Sequence, residues 1–176
     1  FWFWPYAVAC GNTYIIKPSE QDPLPLVRIF ELLDQCGFPP GVINLVQGTR
    51  DAADAILDEP RIQGISFVGS SPVARYIYSR ASANGKRVQA QGGAKNTLVV
   101  LPDAVPMVTG AVTNILGSCF GAAGQRCLAG SILLTVGDVH TAVMDTLVSA
   151  TRALKVGDGA DPSVDVGPVV SAASRD

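Results

Sequence analysis

The chain has 176 residues, 48% of them hydrophobic and 16% charged, which is enough apolar material for a core and argues against disorder. A formal net charge of -2, with no Lys/Arg run, offers nothing to neutralise a phosphate backbone, so no nucleic-acid partner is expected. The apolar stretches read as too short to span a bilayer, so no membrane partner is expected either.

The chain opens on Phe1-Trp2-Phe3-Trp4-Pro5, without an initiator Met or the basic start of a signal peptide, and reads as a cut end. Thr13 to Ile16 is short and β-branched or aromatic and predicts a strand. Asp22 is placed to cap the next helix, with Pro23 in its first turn. Leu26, Ile29, Phe30 and Leu33 then recur at helical spacing, and Gly37 stops the run. Val42 to Val46 predicts a second strand, and Asp51 opens a short helix ending before Pro60. Ile65 to Val68 is a third strand; Gly69-Ser70-Ser71-Pro72 turns it into a helix through Val73, Tyr76 and Ile77, which Asn84-Gly85 ends. Arg87 to Gln91 and Thr97 to Leu101 are two more extended pieces around Gly92-Gly93. Val105 to Phe120 predicts one long helix, Ser131 to Val136 a strand and Val139 to Leu154 a helix.

Strands alternating with helices imply an α/β fold, a parallel sheet with helices on both faces. Such sheets bind ligands beyond the carboxyl ends of their strands. A break near residue 102 divides the chain into residues 1–101 and the start of a second α/β region, 102–176.

Four cysteines occur and none forms a C-x-x-C pair; with a single His, no metal site is expected. The apolar neighbours of Cys10, Cys36 and Cys119 predict buried free thiols in a reducing compartment, hence a cytoplasmic protein or, in a eukaryote, one of the mitochondrial matrix. Cys127 differs. It ends the run Gly121-Ala122-Ala123-Gly124-Gln125-Arg126-Cys127, where glycines permit a tight turn and a guanidinium favours thiolate. It reads either as a reactive thiol or as a small packing residue. His140 lies at the start of a separate helix, so this segment offers no imidazole base. Lys17 and Glu20, at the end of the first strand, suit ribose hydroxyls or a solvated turn. Phe67-Val68-Gly69-Ser70-Ser71 runs from strand into helix, where N–H groups and hydroxyls suit a pyrophosphate. The run G-x-G-x-x-G is absent.

Six segments in order carry a resemblance: Cys10-Gly11-Asn12-Thr13, Ile16-Lys17-Pro18-Ser19-Glu20, Phe38-Pro39-Pro40-Gly41-Val42-Ile43-Asn44, Phe67-Val68-Gly69-Ser70, Gly124-Gln125-Arg126-Cys127 and Asp165-Val166-Gly167-Pro168. Together they resemble the aldehyde dehydrogenase superfamily over nearly the whole chain. The resemblance implies a Rossmann-like NAD-binding domain in residues 1–101 and the first part of a catalytic domain in 102–176. It implies NAD as cofactor, with Lys17 and Glu20 on the adenosine ribose, Gly48 by the adenine, and Phe67, Gly69 and Ser70 in the pyrophosphate turn. It implies Cys127 as catalytic thiol toward a small-molecule aldehyde, its own N–H helping to hold the oxyanion.

One departure points further. Most of the superfamily has Glu-Leu-Gly-Gly-Lys, its Glu activating water; here the run is Gln91-Gly92-Gly93-Ala94-Lys95. An amide there takes up no proton at neutral pH. With Asn96 following, the run is similar to the coenzyme-A-acylating methylmalonate-semialdehyde dehydrogenase group, although that group usually has Asn where Gln91 stands. This implies methylmalonate or malonate semialdehyde as substrate, coenzyme A as acyl acceptor and a homo-oligomer, with Arg126 holding the substrate carboxylate or else tuning the thiolate or packing. The alternatives are a hydrolytic aldehyde dehydrogenase, an inactive nucleotide-binding fragment, and a piece that folds only with further segments.

Overall fold

The computed structural model describes residues 1–175. By its contacts the chain divides into two units, Phe1–Gly92 and Gly93–Asp176. The division falls earlier than the expected break after Leu101, because the strand Asn96–Val100 pairs within the second unit.

The first unit begins with α1 (Trp4–Ala9), β1 (Tyr14–Ile16), α2 (Leu24–Gln35) and β2 (Ile43–Leu45). β1 and β2 pair in parallel, from Tyr14 opposite Ile43 to Ile16 opposite Leu45. Parallel neighbours need a crossover, and α2 supplies it. Its predicted stripe of Leu26, Ile29, Phe30 and Leu33 is the half-buried side. Asp22 does not cap it. Pro23 is already helical at the N-cap position and no side chain caps, while the Asp22 amide closes a turn on the Ser19 carbonyl at 3.3 Å. Gly37 ends the helix with φ of 73°, a left-handed conformation that glycine adopts without cost.

The unit continues through α3 (Arg50–Asp58), β3 (Gly64–Gly69), α4 (Ser71–Ala83) and β4 (Arg87–Gly92). β3 and β4 pair in parallel across all six positions, ending with Gly69 opposite Gly92. Ala74, Ile77 and Ala81 recur at helical spacing and are buried, whereas Val73 is 45% exposed. Ile77 and Ala81 join Leu57 of α3 in one core, with Ile65, Phe67, Tyr76 and Val88 packed against it. The half-buried Tyr14 has its phenol pushed up by burial, partly offset by a hydrogen bond with Ser66 of β3.

Lys86 is the one buried charged residue among those described. Its ammonium donates to the carbonyls of Glu59, at 2.5 Å, and Ile62, at 2.6 Å, closing the loop after α3. Lys86→Met keeps the apolar stem and strips the Ile62 carbonyl of its donor, whereas the Glu59 carbonyl still accepts the Ile62 N–H at 3.1 Å. A buried acceptor left unpaired costs about 1–3 kcal/mol, so chemical denaturation of Lys86→Met is expected to show a loss of about 2 kcal/mol. A loss below about 0.5 kcal/mol, the size of an ordinary surface change, would contradict that accounting.

The second unit holds β5 (Asn96–Val100), a 3-10 segment (Pro102–Met107), α5 (Val108–Phe120), a second 3-10 segment (Gly121–Gly124), β6 (Gly130–Thr135) and α6 (Val139–Ala153). β5 and β6 pair in parallel, with a bulge between Asn96 and Thr97. The core is Val100, Ile115, Val139 and Val143, with Leu98, Val108, Cys119, Leu133 and Leu147 against it. Val139 and Val143 are fully buried, each contributing roughly 1.5–3 kcal/mol by apolar burial. The other side of the ladder is open. Val99, Leu101, Ile132, Leu134 and Val136 are 40–57% exposed.

All three ladders are parallel and the fold is α/β, but the described strands form three separate pairs and not one continuous sheet. The single long helix expected over Val105–Phe120 is broken. Pro106 lies inside the 3-10 segment, lacks an N–H and disfavours a helical residue before it. The combined helical run Pro102–Gly124 is long and apolar enough to cross a membrane by length and composition alone, against the expectation from the sequence. Val112 and Ile115 are its buried residues, and Ile115 belongs to this unit's core.

Candidate active site

Three of the residues expected around the adenosine come together. The Lys17 ammonium donates to the Pro18 carbonyl and the Gly48 carbonyl, each at 2.6 Å, and lies 3.5 Å from Glu20 Oε2. One lysine thus ties the end of β1 to the loop after β2. Gly48 has φ of 151°, and a Cβ there would stand 2.6 Å from Ala52 Cβ, so no other residue fits without a shift. The exposed Glu20 carboxyl is held below the usual range, first by its own backbone N–H and then by the Lys17 charge.

The β3-to-α4 turn gathers the next group. A Cβ on Gly69 would meet the Phe67 ring at 2.4 Å, so Phe67 can fold under the turn only because position 69 has no side chain. Gly92, opposite Gly69, is equally constrained, a Cβ there falling 2.9 Å from Ala74 Cβ and 3.1 Å from the Gly69 carbonyl oxygen. Ser70 is the N-cap of α4 and is exposed, yet its hydroxyl makes no capping bond. The first amides of α4 and this hydroxyl form the kind of helix start that suits an anion. Gln91 is exposed on β4, opposite Val68.

Cys127 is exposed, in the second unit. The chain reaches it through an unusual turn. Ala122 and Ala123 both have φ of 52° and Gly124 has φ of 72°. Left-handed alanines cost roughly 1–2 kcal/mol each, so the surroundings must impose this path. Gln125 supplies one constraint. Its Nε2 donates to the Ala122 carbonyl at 3.2 Å and its Oε1 accepts the Val170 N–H at 2.9 Å. Arg126 supplies another. Its Nη2 donates to the Gly117 carbonyl and, at 3.0 Å, to the Ser118 carbonyl, so it caps the end of α5. Asn96 supplies a third, donating through Nδ2 to the Cys127 carbonyl at 2.6 Å and the Ala129 carbonyl at 3.0 Å. Neither the tie from Gln125 nor that from Asn96 was visible in the sequence.

The remaining cysteines differ from expectation. Cys10 and Cys36 are exposed and Cys119 is half-buried. Cys10 and Cys36 sit at the C-caps of α1 and α2, where a chain leaving its helix turns outward despite apolar neighbours. Cys36 points its thiol to the Leu32 carbonyl at 3.3 Å. His140 is exposed and bonds Thr135 Oγ1 at 2.9 Å. Among the described residues, no group of three or more His, Cys, Asp or Glu is arranged to hold a metal ion.

A sequence model of the aldehyde dehydrogenase family matches residues 1–176. The chain belongs to the aldehyde dehydrogenase family. Within it, the chain is similar to malonate-semialdehyde dehydrogenase 1 of Geobacillus thermodenitrificans, 45% identical over 174 residues, covering 99% of this chain and 36% of that protein. Among solved structures it is similar to methylmalonate-semialdehyde dehydrogenase from Oceanimonas doudoroffii, with 47% identity and a TM-score of 0.86, covering 96% of this chain and 34% of that one. A Sinorhizobium meliloti protein solved as a complex with NAD has 43% identity and a TM-score of 0.88, covering 98% of this chain and 35% of that one. The chain spans about a third of the length of the relatives it matches.

Proposed function

We propose that this chain carries the NAD-binding and nucleophile-bearing segments of a coenzyme-A-acylating aldehyde dehydrogenase acting on malonate or methylmalonate semialdehyde. The observation that carries this reading is the exposed Cys127, on a tethered turn, in a chain matching malonate-semialdehyde dehydrogenase along 99% of its length.

The Cys127 thiolate attacks the aldehyde carbon, forming a C–S bond and placing negative charge on the former carbonyl oxygen. The Cys127 N–H donates to that oxygen. NAD, when bound, supplies the acceptor for the hydride that leaves the same carbon. The acyl group remains on sulfur as a thioester, and the thiol of coenzyme A displaces Cys127 to carry it away. With Nη2 of Arg126 engaged on α5, Nη1 and Nε are the donors that would meet a substrate carboxylate. On this reading the small-molecule aldehyde and coenzyme A are the partners, the whole enzyme is a homo-oligomer, and the compartment is reducing: cytoplasm, or mitochondrial matrix in a eukaryote.

For NAD, the fitting features are the Lys17–Gly48–Glu20 cluster and the bare helix start at Ser70. Glu20 would accept hydrogen bonds from a free ribose 2′-hydroxyl and repel a 2′-phosphate. The full-length protein supplied with malonate semialdehyde and coenzyme A is therefore expected to reduce NAD, with a kcat/KM well above that for NADP. Glu20→Gln should narrow the gap, because the neutral amide no longer repels a 2′-phosphate and accepts more weakly from a 2′-hydroxyl. A preference for NADP would overturn the cofactor assignment, and no reduction of either would overturn the proposed reaction.

A further inference from the structure

We infer that Asn96 is a positioning residue for Cys127, a role that rests on Cys127 being the nucleophile. Asn96 opens β5 at the bulge: it pairs with Gly130, the next residue Thr97 pairs with Ile132, and Ser131 is left over. A bulge rotates the side chains on either side of it relative to a regular ladder. Here it accompanies an Asn96 amide directed along β6 toward the residues that precede that strand. Both of its N–H groups are accounted for, on the Cys127 and Ala129 carbonyls at 2.6 and 3.0 Å.

The consequence for the thiol is geometric. A carbonyl held by a donor fixes the plane of its peptide, and that plane with the preceding one sets where the Cα–Cβ bond points. Gln125 and Arg126 hold the preceding residues, on Val170 and on the end of α5. Of these three ties, the one from Asn96 is the one that acts on Cys127 itself. The preceding turn is left-handed through two alanines, which favours relaxation once a tie is lost. Asn96 touches no reacting atom. It acts by keeping the sulfur on its line of attack, where an error of about 1 Å is enough to cost roughly a hundredfold in rate.

The test uses the full-length protein with Asn96→Asp, which keeps the shape but removes both donors, and Asn96→Ser, which keeps one. Turnover is divided by the number of alkylatable Cys127 thiols, so misfolded molecules do not count, and NAD binding is measured alongside. A positioning role predicts kcat per thiol lower by roughly ten- to a hundredfold in Asn96→Asp and by less in Asn96→Ser, with NAD binding unchanged. It also predicts that the alkylation rate of Cys127 in Asn96→Asp rises at higher pH than in the unmodified protein, because the new carboxylate disfavours thiolate. If Asn96→Asp does not fold, Asn96→Ser decides. Values of kcat per thiol and an alkylation profile within about two-fold of the unmodified protein would overturn the role. Cys127→Ser separates the two levels. Full turnover in Cys127→Ser overturns the nucleophile reading and this role with it, whereas lost turnover there beside unaffected Asn96 variants overturns this role alone.

Discussion

Cys127→Ser in the full-length protein is expected to abolish NAD reduction, lowering kcat by on the order of 10⁴-fold or more while NAD still binds. A free cysteine thiol titrates near ~8.5, so a few per cent is thiolate at neutral pH, and thiolate is a strong nucleophile. A serine hydroxyl needs an adjacent base, and the only His, His140, bonds Thr135 on the far end of β6. NAD binding should persist because Lys17, Glu20, Gly48 and Ser70 all lie in the first unit and the substitution in the second. The measurement is NADH formation at saturating substrate, paired with cofactor titration. Turnover within about tenfold of the unmodified enzyme would place the chemistry elsewhere and remove Cys127 from the reaction.

The second large effect concerns the release of the acyl group. Without coenzyme A the full-length enzyme is expected to give a burst of NADH, about one per active site, and then to slow, because the thioester is attacked only slowly by unactivated water. A general base contributes roughly 10²–10⁴-fold to such a step, and Gln91 takes up no proton at neutral pH. Coenzyme A brings its own thiol and should restore steady turnover. Gln91→Glu should raise the rate without coenzyme A by up to the same ~10²–10⁴ factor, since Gln91 is exposed and the exchange alters little but a titratable oxygen. Rapid turnover without coenzyme A, unchanged when it is added, would establish hydrolysis in place of acyl transfer.

Much of the fold was legible where one local rule sufficed. The stripe of α2, the glycine stop at Gly37 and the Pro-initiated α4 each follow from spacing or from the chemistry of one residue, and the structure has them. Elements that depend on competition between rules were not. Asp22 has the chemistry of a cap, but Pro23 occupies the N-cap position. The apolar spacing from Val105 to Phe120 is helical, but Pro106 forces a 3-10 start. The site divides in the same way. Lys17, Glu20 and Gly48 were named from the family resemblance and do meet. The part played by Asn96 depends on a bulge, and a bulge depends on the register of two strands far apart in sequence. Cys10 and Cys36 were expected inside because their neighbours are apolar, yet burial depends on where a helix ends.

The open side of the β5–β6 ladder bears on how the chain behaves in solution. Val99, Leu101, Ile132, Leu134 and Val136 form an apolar row along a two-stranded ladder whose outer edges have no strand neighbour among the described residues. Such a surface is both sticky and templating: apolar area drives association, and free strand edges give the associating chains an extended register to grow on. Sulfate and phosphate strengthen apolar association, so these salts would hasten precipitation of the 176-residue chain, while low concentrations of urea would delay it. A charged residue at Val99 or Leu134, near the middle of the row, would interrupt it without entering the core on the opposite face.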